Sequence, residues 1–284
     1  MKSEKGGRRR PVRRIVYSSA NMLIAITRRV SPDINQCELT YQQRVPIDFA
    51  RAEEQHLAYE QCLRELGAEV IAHPAEPGFP DCMFVEDPTV VFDEVAVIMR
   101  MGVESRRGEE ATLVRALRKF RAVMGIAPPA TIEGGDVLRV GRNVFVGRSP
   151  RTNAEGVVAL KALLEPIGYS VQPVELRGCM HLKSGCTTLD DGTILAHREW
   201  IDTTPFETFR IVDVAPDEAR AANVLRVGET IVMAEGFPET RKIVERLGYR
   251  VRTLEISELM KAEAGLTCSS LLFEAEPTDR LPPS

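Results

Sequence analysis

Four short stretches of this 284-residue chain set reactive or charged side chains in otherwise apolar surroundings. The last is Ala264-Gly265-Leu266-Thr267-Cys268-Ser269-Ser270-Leu271-Leu272-Phe273, where a cysteine stands between a glycine-bearing approach and an apolar run that reads as a buried strand. A side chain held at such an edge can be aimed into a cavity with little freedom to wander. A free cysteine is also a small hydrophobe, so packing is the competing reading. In Pro80-Asp81-Cys82-Met83-Phe84-Val85-Glu86-Asp87-Pro88 three carboxylates lead into an apolar strand. They read either as a cap with surface charge or as a receptor for a cation, since carboxylates pair well with a planar guanidinium. Thr131-Ile132-Glu133-Gly134-Gly135-Asp136-Val137-Leu138 flanks a Gly-Gly kink with two carboxylates, a plain turn or a device for close approach. Gly178-Cys179-Met180-His181-Leu182-Lys183-Ser184 carries one of four histidines, a structural residue or an acid/base. Together the stretches supply a nucleophile, an acid/base, an orienting carboxylate and a carboxylate receptor, the set needed for covalent hydrolysis of a cationic group.

The elements that must position these residues alternate. A first strand is expected at Val12–Tyr17, then an irregular stretch from Ser18 to Pro46 of the length typical of lids and binding loops. Asp48 caps a helix over Phe49–Leu66, stopped by Gly67. Strands follow at Glu69–His73, Thr89–Phe92 and Val95–Met99. A helix over Glu109–Val123 precedes strands at Ile132–Val140 and Asn143–Val146. A third helix, Thr152–Ile167, precedes strands at Ser170–Leu176, Cys186–Leu189 and Thr193–Ala196. The strand Thr230–Met233, the helix Pro238–Leu247, the strand Arg250–Leu254 and the strand after Cys268 complete the chain. Helices recurring about every fifty residues indicate a repeated supersecondary unit, and radial repeats gather strand ends around a central cavity. No linker divides the chain, so one domain over residues 12–276 is expected, with a basic leader at 1–11 and a tail at 277–284.

Composition narrows the function. A net charge of −4 gives no global reason to bind nucleic acid or an anionic membrane. No apolar run reaches membrane-spanning length. Six cysteines without CxxC spacing read as reduced thiols of a cytoplasmic enzyme.

The motifs Asp81…Phe84-Val85-Glu86-Asp87, Ser105-Arg106-Arg107, Glu133-Gly134-Gly135-Asp136-Val137-Leu138, Arg151-Thr152-Asn153, His181-Leu182-Lys183-Ser184 and Leu266-Thr267-Cys268-Ser269 resemble, in order, those of dimethylarginine dimethylaminohydrolases. The resemblance implies a five-bladed α/β propeller, the pentein fold, built of ββαβ repeats. It implies Cys268 as nucleophile, His181 as general acid/base and Glu133 as the carboxylate that orients His181. Asp87 would hold the substrate guanidinium, braced by Glu86. Asp81 would receive the α-ammonium, Arg106 and Arg151 would clamp the α-carboxylate, and Leu39 would lie in a flap over the site. The implied reaction releases citrulline and a methylamine from N-methylated arginine through a thiouronium intermediate. It needs no cofactor or metal, takes a small guanidine amino acid as its partner and is compatible with a homodimer. Arginine deiminases have an aspartate where this chain has Lys183, which leaves fewer acceptors for an unsubstituted guanidinium and favours a methylated one. An arginine deiminase-like or amidinotransferase activity on another guanidine is the alternative, followed by a non-enzymatic binding protein of the same fold. Ser269 stands where some relatives carry a second cysteine, so no thiol pair is expected there.

Overall fold

A computed structural model describes residues 21–276, so the expected strand at 12–17, the leader at 1–11 and the tail at 277–284 lie outside the described residues. In chain order the elements are β1 (Met22–Arg28), α1 (Phe49–Glu65), β2 (Ala68–His73), β3 (Thr89–Val91), β4 (Val95–Ile98), α2 (Glu110–Leu117), β5 (Ala122–Gly125), β6 (Val137–Val140), β7 (Asn143–Arg148), α3 (Ala154–Leu164) and β8 (Ser170–Glu175). They continue with α4 (Leu182–Gly185), β9 (Cys186–Asp190), β10 (Thr193–Ala196), β11 (Arg210–Asp213), β12 (Leu225–Val227), β13 (Thr230–Ala234), α5 (Pro238–Arg246), β14 (Arg250–Leu254), α6 (Ser257–Met260) and β15 (Leu271–Ala275).

Fifteen strands form five separate three-stranded sheets. In each, the middle strand pairs antiparallel with one neighbour and parallel with the other: β3-β4-β5, β6-β7-β8, β9-β10-β11, β12-β13-β14, and β15-β1-β2. Four blades are thus ββαβ units, and one of them is closed by the last described strand pairing with the first. The expected pentein propeller is the observed fold. In the β9-β10-β11 blade the crossover is a short turn at Thr204–Phe206 instead of a helix, so the helical period misses that repeat.

The local signals explain the elements. Asp48 caps α1 by accepting the Arg51 N–H at 3.1 Å, and Asn153 caps α3 by accepting the Gly156 N–H at 2.8 Å. Three expectations are corrected. The stretch from Ser18 to Pro46 is not irregular throughout, because β1 runs through it. Met-Leu-Ile-Ala-Ile-Thr-Arg lacks alternation because β1 is a central strand flanked by β15 and β2, with Ile24, Ala25 and Ile26 wholly buried. The helix expected at Glu109–Val123 ends at Leu117, and Ala122–Gly125 becomes the parallel partner of β4. The strand expected from Ile132 begins only at Val137, because Gly134–Asp136 coils into a tight turn. Strands β11 and β12, short and with few apolar residues, escaped the periodic pattern.

Candidate active site

Cys268 sits in a single turn, Thr267–Ser269, leading into β15. The Asn223 side chain fixes that turn. Its Oδ1 accepts the Thr267 N–H at 3.2 Å, while its Nδ2 donates to Thr267 Oγ1 at 3.1 Å and to the Lys183 carbonyl at 2.9 Å. One amide therefore ties the cysteine's turn to the segment that follows His181. From the opposite side, Thr267 Oγ1 donates to Glu86 Oε2 at 2.8 Å and the Glu86 N–H donates to the Cys268 carbonyl at 3.3 Å. Glu86 Oε1 is taken by the Lys183 ammonium.

His181 stands at the N-terminus of α4. Its backbone is held by Asp136, whose Oδ1 accepts the Leu182 N–H at 2.9 Å while its Oδ2 accepts Ser149 Oγ and Thr152 Oγ1, each at 2.6 Å. The imidazole is oriented by Glu133: Nε2 and Oε2 are 2.9 Å apart, and Oε1 accepts the Gly102 N–H at 3.1 Å. His181 Nδ1 lies 3.8 Å from Asp87 Oδ1. Asp87 Oδ2 accepts from Arg106 Nη1 at 2.8 Å, and Arg106 Nε and Nη2 both reach Glu109. Asp87 Oδ1 is buried and, among the described residues, accepts no hydrogen bond.

Close approach at this cluster depends on the paired glycines. A Cβ at Gly135 would lie 2.5 Å from His181 Nδ1 and 2.9 Å from Asp87 Oδ1; one at Gly134 would lie 1.9 Å from the Glu86 carbonyl oxygen. Gly135→Ala is expected to push the imidazole aside and lower kcat by roughly 10²-fold, because small misplacements at a reacting centre are expensive. Steady-state kinetics beside a melting curve check this.

The charges interact strongly. Burial pulls the His181 pKa down, but Asp87, the hydrogen bond to Glu133 and Asp136 outweigh it and raise the pKa to about 9. Burial would raise both Asp87 and Glu133, yet His181 reverses this, with Arg106 assisting, and both lie below their usual values. Burial, then the charges of Asp87 and Glu86, push the Cys268 thiol up to about 12. The substrate-free site therefore holds Cys268 as a thiol and His181 as an imidazolium. Because the His181 pKa is raised by folding from its ordinary 6.5, the ion pairs contribute stability fully below 6.5 and lose it as pH rises through about 9. A ring titration by NMR should give a His181 midpoint near about 9, and a midpoint below 7 would contradict the geometry.

The structure brings five of the expected site residues together. Asp87, Arg106, Glu133, Arg151 and His181 make direct contacts, with Arg151 Nη1 3.5 Å from Glu133 Oε1. Asp81 is buried and its carboxylate accepts the Glu38 N–H at 3.1 Å. Leu39 follows in the segment 38–42 and packs on the core, next to Thr40, whose Oγ1 accepts from Arg151 Nη2 at 3.0 Å. Sequence reading missed Asp136, Glu109 and Asn223 as supports. Asp136 stood inside the Gly-Gly motif and Glu109 three residues after Arg106, so both could have been found; Asn223 carries no local signal. Asp87, Glu133 and His181 are also the one group among the described residues able to gather around a metal ion. The imidazolium and the Arg106 guanidinium already supply positive charge there.

Five three-stranded blades, a cysteine at the head of β15, a histidine held by Glu133 and an Asp87 carboxylate oxygen without a hydrogen bond among the described residues define the class: a pentein of the guanidine-modifying superfamily. A family model for arginine deiminase matches residues 77–234. The N(G),N(G)-dimethylarginine dimethylaminohydrolase of Pseudomonas aeruginosa is 39% identical over 80% of this chain and 90% of its own, and that of Streptomyces coelicolor 38% identical over 87% and 95%. The solved structure of a cysteine-to-serine mutant of the Pseudomonas enzyme, complexed with citrulline, superposes with a TM-score of 0.85 at 36% identity, covering 89% of this chain and 99% of that one. The chain belongs to the dimethylarginine dimethylaminohydrolase family. No described helix is long and apolar enough to cross a membrane.

Proposed function

We propose that this protein hydrolyses N-methylated arginine, asymmetric dimethylarginine or monomethylarginine, to citrulline and the corresponding methylamine. The observation that carries the reading is Asp87 Oδ1, a buried carboxylate oxygen with no donor among the described residues, 3.8 Å from His181 Nδ1. Such an acceptor is costly to leave empty, and a guanidinium N–H would fill it. The relatives' names and the citrulline bound in the Pseudomonas structure agree with this reading.

The substrate's guanidinium lies against Asp87, its α-ammonium against Asp81, and its α-carboxylate between Arg106 and Arg151. Arg106 has one N–H left on each terminal nitrogen after serving Asp87 and Glu109. Leu39 covers the aliphatic part. The substrate cation offsets the Asp87 and Glu86 charges that hold the thiol protonated, so binding favours the thiolate. The sulfur attacks the guanidinium carbon to give a tetrahedral adduct. His181 gives its proton to the methylated nitrogen as the C–N bond breaks, leaving a Cys268 thiouronium and a neutral imidazole. Glu133 favours the charged ring and holds its orientation. His181 then takes one proton from water as the oxygen attacks, and as the C–S bond breaks the new hydroxyl loses its remaining proton to solvent, releasing citrulline and the thiolate.

Lys183 shapes the choice of substrate. With Oε1 bound to Lys183 and Oε2 to Thr267, Glu86 has both oxygens engaged, so Asp87 is left as the free acceptor. A dimethylated nitrogen, which has no N–H to place, fits this shortage better than an unsubstituted one. We take the catalytic domain to be residues 12–276, and the free state of all six cysteines favours a cytoplasmic location. Incubation with asymmetric dimethylarginine, monomethylarginine and arginine, with citrulline and amine measured, tests the reading. Equal amounts of citrulline and dimethylamine support it; citrulline and ammonia from arginine alone would overturn the methylated-substrate assignment.

A further inference from the structure

The segment 38–42 joins three substrate-facing residues. Glu38 bonds Asp81, Leu39 lies next, and Thr40 bonds Arg151. Little apolar packing holds its outer half: Tyr41 is 56% exposed, and Tyr41 and Gln42 border an open cavity of about 190 Å³ whose other walls include Trp200, Phe237 and Met260. What holds it is one side chain from the far end of the chain. The Glu263 carboxylate accepts the backbone N–H groups of Thr40 at 2.9 Å, Tyr41 at 2.6 Å and Gln42 at 2.6 Å. Gln42 Nε2 adds a bond to the Met260 carbonyl at 3.0 Å.

Glu263 is also the one non-glycine residue among the described residues with a positive φ, at 58°. That conformation is unfavourable for a residue with a Cβ, and such outliers persist where the surroundings impose them. Here the backbone turns the carboxylate toward three amide hydrogens, five residues before the nucleophile.

We propose that Glu263 is a substrate-positioning residue: by holding the Thr40–Gln42 backbone it sets Leu39 and the Thr40–Arg151 contact at the amino-acid end of the substrate. Its effect is on binding, because Glu263 contacts neither the guanidinium-binding carboxylates nor His181. The inference rests on the methylarginine reading for its substrate, but the latch itself does not.

Glu263→Gly separates the latch from the fold, since glycine accepts φ 58° without strain while removing the carboxylate. The expected result has two parts. Hydrogen exchange at the Thr40, Tyr41 and Gln42 amides speeds up without substrate, and KM for dimethylarginine rises roughly tenfold or more while kcat stays within about threefold and the melting temperature does not fall. Glu263→Gln, which keeps one acceptor oxygen, should recover part of the KM. Unchanged exchange at these amides would overturn the latch. Faster exchange with an unchanged KM, or losses confined to kcat, would overturn the positioning role. If the native enzyme turned over no methylarginine, the functional reading would fail and the exchange result would still judge the latch.

Discussion

Cys268→Ser is expected to lower turnover of dimethylarginine by at least about 10³-fold, since a hydroxyl at this position has neither the acidity nor the nucleophilicity of the thiol. The variant should keep its fold. The turn that holds residue 268 is fixed by Asn223, Thr267 and the Glu86 backbone, and the sulfur accepts only a long 3.5 Å approach from the Gly265 N–H among the described residues. Asp81, Asp87, Arg106 and Arg151 remain in place, so the variant should still bind substrate. Calorimetric titration with dimethylarginine beside a turnover assay checks both halves. Turnover surviving within tenfold would remove Cys268 from the chemistry.

Asp87→Asn is expected to be nearly as damaging, lowering kcat/KM by about 10²- to 10³-fold, with a signature that a merely structural loss would not give. Asp87 is the largest charge acting on both His181 and Cys268. With that charge removed, the His181 midpoint should move down from about 9 and the Cys268 thiol should move down from about 12. The thiol should then alkylate faster near pH 8 while the enzyme turns over more slowly. The opposition arises because the carboxylate suppresses the thiolate in the empty site and, in the proposed reaction, binds the guanidinium in the filled one. Arg106 keeps Glu109 as a partner, so the buried guanidinium is not stranded and the stability loss should stay near 1–2 kcal/mol. Slower alkylation, or an unmoved His181 titration, would contradict this double role.

The parts of the site legible in the sequence are those where chemistry and local pattern coincide. The Gly134-Gly135 pair signalled close approach, and the structure shows what approaches: His181 and Asp87 at Gly135, the Glu86 backbone at Gly134. Cys268 at the mouth of an apolar strand and His181 ahead of another were visible for the same reason. The supporting residues were not. Asn223 and Glu263 act across the fold, with Glu263 reaching back more than 220 positions to Tyr41 and Gln42, and no local spacing encodes such a contact. The missed strand β1 failed for a different reason: burial on both faces erases the alternation by which strands are recognised. Lys183 was legible as a difference from arginine deiminases, but its pairing with Glu86 required coordinates.

The most direct test of the central claim is a single-turnover experiment with enzyme in excess over asymmetric dimethylarginine, quenched in acid at successive times and analysed by peptide mass. A covalent adduct on the peptide containing Cys268 should form with the release of dimethylamine and decay as citrulline appears. Citrulline produced with no adduct at any time, or an adduct on another residue, would contradict covalent catalysis by Cys268.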